Sequence, residues 1–325
     1  MAADVRDRVL RPAELIRAAA IARRYYIDGA SKIEIADEFG ISRFKVARVL
    51  DEARAAGLVR IDIAVPTEID AELSDRLRTT YGLREALVVA TADESEDSIR
   101  GHIGRLAADY LTEVAEEGDV IGLACSRTLN AMTLALTDLP KVTVVQLTGV
   151  LPGGVEENSV ELVRRVASIA RGPAYPIYAP LVVSDAASAR GLRRQPQVAD
   201  AMKRYRDLTK AVVAIGSWDP PASLVRDSLT RSEAETLRRR GVSAEVCARL
   251  LNADGEPVSS LADRVIAITT EELQKVPEVI AVAGGIKKAH AIHAVLRGGL
   301  VTALVTDAGA ARALLTEAEP RDDGA

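Results

Sequence analysis

Cysteine and histidine are scarce in this chain of 325 residues: Cys125 and Cys247 are the only cysteines, and His102, His290 and His293 the only histidines. So few soft ligands cannot close a structural zinc site, and two cysteines make no disulfide framework. Aromatic residues are only 3% of the composition, which disfavours a sandwich of large aromatic pairs and favours Ala/Val/Leu-rich α/β packing. No apolar run approaches the roughly 18 residues of a spanning helix, and the start Met-Ala-Ala-Asp-Val-Arg-Asp-Arg has no secretory hydrophobic segment. The expected location is the cytoplasm, with no membrane partner. The chain has no Gly-x-Ser-x-Gly elbow, no Walker lysine motif and no Gly-x-Gly-x-x-Gly opening a helix after a strand. No catalytic residue, metal or cofactor is assigned, and an enzyme is not expected.

At roughly 100–200 residues per domain, the length accommodates two domains. The net charge of −5 hides a contrast between them. Residues 1–64 hold 12 Lys+Arg against 10 Asp+Glu, whereas the remainder holds 30 against 37. A positive segment is the footprint of a nucleic-acid-binding unit, although solvated helix faces carry such charges too.

Within that segment the pattern predicts three helices. Ala13–Gly29 reads as amphipathic, with Leu15, Ile16, Ala19, Ala20 and Ile27 near one stripe. Ser31 followed by Glu34 is a capping box that opens a second helix through Phe39. Gly40 supplies the positive φ of a tight turn, and Ser42 caps a third helix that ends near Ala56. Leu58–Ile63 alternates apolar and polar residues, as a short wing strand would.

Two helices meeting at a glycine turn form a helix-turn-helix. Ala36 sits where they come closest, Val46 fills their angle, and Ile35, Phe39, Ile41, Val49 and Leu50 complete the buried side. Lys32, Ser42, Arg43, Phe44, Lys45 and Arg48 stay outside as candidate contacts to base edges and phosphates in the major groove of double-stranded DNA.

Residues 67–80 predict a linking or subunit-pairing helix with Ile69, Leu73 and Leu77 on one side. Beyond Glu85, apolar strands alternate with amphipathic helices. The strands are Ala86–Ala90, Val120–Ala124, Val142–Leu147, Ala174–Tyr178, Ala211–Ile215, Val265–Ile268, Val279–Ala283 and Val301–Val305. Continuously apolar strands imply a Rossmann-like parallel sheet buried on both faces, hence an α/β fold. The expected domains are 1–64 (winged helix-turn-helix), 65–84 (linker or oligomerisation helix), 85–316 (effector binding) and 317–325 (charged, disordered tail).

Ligands of such sheets bind beyond the carboxyl ends of the strands. There the chain places Ser126, Arg127 and Thr128 at a helix start, a hydroxyl and guanidinium cradle for an anion. Gln146, Thr148 and Gly149 follow the next strand, with Asn158 at a helix cap, and Gly216 follows another. Gly284 and Gly285 precede Lys288, where backbone can approach a phosphate and the lysine neutralise it, and Asp307 ends the last strand. Together they suit a small phosphorylated, hydroxylated ligand. The rival reading is a phosphosugar isomerase-like enzyme with a regulatory helical appendage, but no acid–base pair stands out.

Several of these segments, taken together, resemble one family. Ile21-Ala22-Arg23-Arg24-Tyr25-Tyr26, Ile33-Glu34-Ile35-Ala36, Gly40-Ile41-Ser42-Arg43, Val46-Ala47-Arg48-Val49-Leu50 and Ala53–Val59 resemble the DNA-binding domain of the SorC family of sugar-responsive bacterial regulators, related to DeoR-type regulators. The likeness continues in Gly118–Gly122, Arg127-Thr128-Leu129, Val145-Gln146-Leu147, Ala283-Gly284-Gly285, Leu296–Gly299 and Thr306-Asp307, and covers roughly residues 15–315. It implies a tetrameric repressor or activator, and the expected assembly is a homodimer or homotetramer. Its effector domain would look like the sugar-phosphate isomerase and CoA-transferase fold and bind a sugar or sugar phosphate without turning it over. By the same resemblance Arg127 and Thr128 lie near the effector, and Lys288 holds its phosphate. Two departures stand out: Glu245 replaces a hydroxyl-binding aspartate in Ser243-Ala244-Glu245-Val246, and Cys125-Ser126 replaces the usual Trp-Gly.

Overall fold

A computed structural model describes residues 12–59, 69–91, 95–151 and 159–318. The chain divides into two units, Met1–Ala64 and Val65–Ala325.

In the first unit, helices α1 (Pro12–Tyr26), α2 (Lys32–Phe39) and α3 (Arg43–Ala55) follow in short order. Local chemistry sets their limits. Ser31 and Glu34 cap α2 reciprocally, the Glu34 amide donating to Ser31 Oγ at 3.3 Å and the Ser31 amide to Glu34 Oε2 at 2.8 Å. Gly40 ends α2 at φ 62°, a backbone setting that strains residues with side chains. Ser42 Oγ accepts from the Lys45 amide at 3.2 Å and opens α3.

The core of this unit joins Ile21, Ala22, Ile35, Ala36, Val46 and Leu50, with Phe39, Ile41 and Val49 packed at its margin. The stripe expected on the first helix is not the buried one. α1 buries Ala18, Ile21 and Ala22, whereas Leu15, Ile16 and Ile27 are exposed. Two apolar stripes run along this alanine-rich helix, so periodicity alone cannot choose between them. The expected wing lies mostly outside the described residues; Leu58 and Val59 themselves are not a strand and donate back to the Ala53 carbonyl.

In the second unit seven parallel strands form one sheet in the order β1 (Glu85–Val89), β11 (Ala303–Asp307), β10 (Glu278–Val282), β5 (Lys210–Val213), β2 (Val120–Leu123), β3 (Thr143–Gln146), β4 (Ala174–Tyr175). The helices of this unit are α4 (Ala71–Tyr81), α5 (Glu96–Val114), α6 (Arg127–Ala135), α7 (Ser159–Ile169), α8 (Ala186–Arg193), α9 (Pro196–Lys203), α10 (Leu224–Asp227), α11 (Arg231–Arg239), α12 (Thr270–Leu273), α13 (Ala289–Arg297) and α14 (Ala308–Ala318). Every residue of β5, β10 and β11 is buried, as strands covered on both faces require. The helix expected to link domains, α4, sends Leu73 and Leu77 into this unit's own core beside β1 and α14. Glu317, expected to begin the tail, is still part of α14; residues 319–325 lie outside the described residues.

A second sheet was not expected. Strands β6 (Ile215–Ser217), β7 (Ala244–Val246), β8 (Arg249–Leu251) and β9 (Pro257–Val258) pair antiparallel in that order. The expected strand Ala211–Ile215 is really two, divided at Ala214. The strand expected at Val265–Ile268 joins neither sheet and makes only single antiparallel bridges, Thr148 to Ala267 and Val182 to Val265.

Candidate functional site

From β2 the chain builds outward to β3 and β4, and from β5 to β10 and β11 in the opposite direction. The reversal between β2 and β5 is a topological switch point, where connections leave the sheet to opposite sides and a crevice opens. A cleft lies there, with about 830 Å³ of empty space including its mouth.

One wall is the start of α6. Ser126 Oγ accepts from the Leu129 amide at 3.0 Å, which fixes the first turn and sets Arg127 and Thr128 on the cleft lining. The opposite wall comes from the small sheet. Gly216 pairs with Glu245 across β6 and β7, and a Cβ at Gly216 would stand 2.1 Å from Glu245 Oε1. Only glycine leaves room for that carboxylate. Ser223 Oγ donates to Glu245 Oε1 at 2.9 Å and the Ala248 amide to Oε2 at 3.0 Å. That amide belongs to the two-residue corner Cys247-Ala248, at φ 51° and 60°, between β7 and β8. Such a corner needs two left-handed residues, a setting that costs non-glycine residues energy and clusters at functional sites.

Lys288 enters from the turn before α13 and donates its Nζ to the Ile215 carbonyl at 3.2 Å. Burial lowers its pKa; the nearby Glu245 charge offsets part of this, and Arg127 and Arg100 add to the lowering. Glu245 is raised, first by burial, against the pull of the Ala248 amide, the Ser223 hydroxyl and Lys288. Arg100, Arg127 and Lys288 line the same cleft as Glu96 and Glu245, and Lys287 draws Glu96 to 3.3 Å. Arg100 is in turn paired with Asp97 at 2.8 Å, so cationic groups and one fixed carboxylate share the cleft, which suits a small molecule carrying an anion at one end and hydroxyls at the other.

The fold thus gathers seven expected effector residues around one cleft: Ser126, Arg127, Thr128, Thr148, Gly216, Glu245 and Lys288. Five others are described away from its lining. Gln146 is fully buried; its amide donates to the Thr148 carbonyl at 2.6 Å and to Ser159 Oγ, and its oxygen accepts from the Ile177 amide. Gly149 packs against the Ala179–Leu181 backbone, and Gly284 against Ile103 and Asp307. Asp307 accepts from the amides of Gly285 and Ala310, bracing the turn before α13 and the start of α14. Asn158 lies outside the described residues.

Sequence reasoning missed Arg100, Ser223 and the Cys247-Ala248 corner, all on the cleft. Ser223 follows Asp219-Pro220-Pro221 in an irregular stretch without periodicity, so no signal pointed to it. His293 Nδ1 lies 2.7 Å from Tyr81 Oη and His290 is 3.6 Å from Glu317, both apart from this lining. Among the described residues no group of three or more His, Cys, Asp or Glu is placed to hold a metal.

In the first unit, Lys32, Ser42, Arg43, Phe44, Lys45 and Arg48 are all exposed. Lys32 Nζ lies 5.5 Å over the Tyr25 ring, and the Arg43 guanidinium 4.9 Å over that of Phe44.

Residues 65–316 match the family model "Putative sugar-binding domain". The transcriptional regulator YjhU of Escherichia coli K12 is 32% identical over 302 residues, covering 90% of this chain and 92% of that protein. The transcriptional regulator LsrR of Enterobacter sp. strain 638 is likewise 32% identical over 305 residues, covering 91% and 92%. The full-length sorbitol operon regulator SorC of Klebsiella pneumoniae shares the fold with a TM-score of 0.72 at 23% identity, covering 93% of this chain and 99% of that one. Among the described residues no helix is long and apolar enough to cross a membrane. With its family match over most of the chain and these relatives along nearly all of it, the protein belongs to the sugar-binding-domain family of transcriptional regulators.

Proposed function

We propose that this protein is a cytoplasmic DNA-binding regulator of carbohydrate or polyol metabolism, controlled by a small phosphorylated sugar or polyol. Residues 1–64 act as the helix-turn-helix reader, and the larger unit, similar to the sugar-phosphate isomerase fold, as the sensor. The observation that carries the reading is the cleft at the switch point, where the Ser126-capped start of α6 and Lys288 face a glutamate held by Ser223 and Ala248. Cations and the amides that open α6 ahead of the capped Leu129 take a phosphate, and the carboxylate takes hydroxyls. The same groups speak for binding over turnover: both Glu245 oxygens already accept hydrogen bonds, and burial pushes the Cys247 thiol well above its ordinary value.

Two copies of the chain would set two α3 helices about one DNA turn apart on a palindromic operator. An effector favouring one arrangement of the sensor units changes how well both helices fit at once, with a typical coupling of about 1–3 kcal/mol. A thermal-shift screen of phosphorylated and free sugars and polyols tests the reading. A phosphorylated ligand at about 100 times its Kd is expected to raise the Tm by roughly 5–10 °C, with no turnover. Shifts by none of them, or conversion of the ligand, would reject it.

A further inference from the structure

We propose that Phe44 reads the 5-methyl group of a thymine in the major groove, beside a guanine held by an arginine of the same helix face; this rests on the DNA-binding reading of α3. Helix geometry places Phe44 opposite the buried row Val46, Leu50 and Ala53, with Arg48 one turn further along the same outward face. Phe44 stands in the first turn, the end of a recognition helix that meets base edges. It is 71% exposed, while Phe39, the chain's only other phenylalanine, packs on the core. Ile16 and Ile27 are as exposed, so exposure alone does not mark Phe44; its place in the first turn of α3 among Arg43, Lys45 and Arg48 does.

The chemistry of the ring selects that partner. Phenylalanine offers no donor or acceptor, and the one apolar feature a base pair presents in the major groove is the thymine methyl. The Arg43 guanidinium lies over the same ring at 4.9 Å, which steadies both groups. Guanidinium forks match guanine O6 and N7, so the face pairs an arginine-read guanine with a ring-read thymine. Charge argues against a second copy of the chain as the occupant. Arg43, Lys45 and Arg48 are the only charged residues between Ser42 and Leu50, and all are exposed. Face-to-face copies would oppose these cations, whereas phosphates neutralise them.

The full chain would be used to enrich a duplex from a random pool. That duplex would then be remade with each thymine replaced in turn by uracil, which pairs alike but lacks the methyl. At one thymine per half-site, uracil is expected to weaken binding about fourfold, the worth of one buried methyl-sized group. Phe44→Ala, at an exposed helical site that tolerates alanine, is expected to bind both duplexes with equal weakness, and Phe44→Leu to keep part of the discrimination. Tolerance of uracil at every position by the unaltered chain would overturn the proposal. So would an undiminished uracil penalty in Phe44→Ala, or a change in its oligomeric mass that accounts for the weakening. If no duplex is enriched and binding shows no steep salt dependence, the DNA-binding reading fails with it.

Discussion

At the amino ends of β2, β5 and β10, Asp119, Lys210 and Glu278 form a closed group; past the carboxyl ends of the same strands, Glu245 and Lys288 stand beside an open cleft. In the first group Asp119 accepts from Lys210 Nζ at 2.8 Å, from Thr209 Oγ1 at 2.7 Å and from the Glu116 amide at 2.8 Å, while Tyr110 donates to Glu278 at 3.0 Å. Burial works to raise the Asp119 carboxyl, but these donors outweigh it and the group sits below its ordinary value. Glu245 has a hydroxyl and an amide as donors, and Lys288 turns to a carbonyl, so burial wins and the two groups shift toward their neutral forms. Direct pairing decides whether a buried charge holds the fold or faces a cavity.

The sharpest way to break this contrast is Lys210→Met, which strands two nearly buried carboxylates. Urea unfolding is expected to lose about 3–5 kcal/mol, and a loss below about 1 kcal/mol would mean the group is no clamp. Lys288→Ala is expected to do the reverse, changing stability by less than about 1 kcal/mol while weakening a phosphorylated ligand from the thermal-shift screen by at least about tenfold. Unchanged affinity by calorimetric titration would remove Lys288 from the anion site. The smallest effect is that of pH. Because the folded Asp119 lies below its ordinary value near 3.8, its stabilisation is complete above that pH and vanishes as pH falls through the folded pKa. The stability gap between the native chain and Asp119→Asn, from unfolding curves at stepped pH, should therefore close on acidification below about pH 4. A constant gap would contradict the ionised pairing.

What could be read in advance was what neighbours in sequence decide. Ser31 with Glu34, Gly40 and Ser42 act within four residues, so α2, the turn and the start of α3 were legible, and the end of α3 fell one residue before the expected Ala56. The inner strands of the large sheet, β5, β10 and β11, announced themselves as apolar runs because both of their faces are covered. The small sheet did not, since strands of two or three residues carry no period to detect. Of the cleft, the α6 start and Lys288 were visible as loop chemistry, whereas Glu245 came only through resemblance. Its holder Ser223 is 22 residues away in sequence, and Lys210 is 91 from Asp119, distances no local pattern spans.

Val213 belongs to the parallel sheet and Ile215 to the antiparallel one, so the single residue Ala214 carries the chain from one to the other. The interval between the amides opening α6 and the Glu245 carboxylate is consequently set by covalent geometry and strand pairing more than by adjustable side chains. On the proposed reading such a span would work as a gauge of length: a molecule too short to bridge it would engage one end only, and one too long would meet backbone.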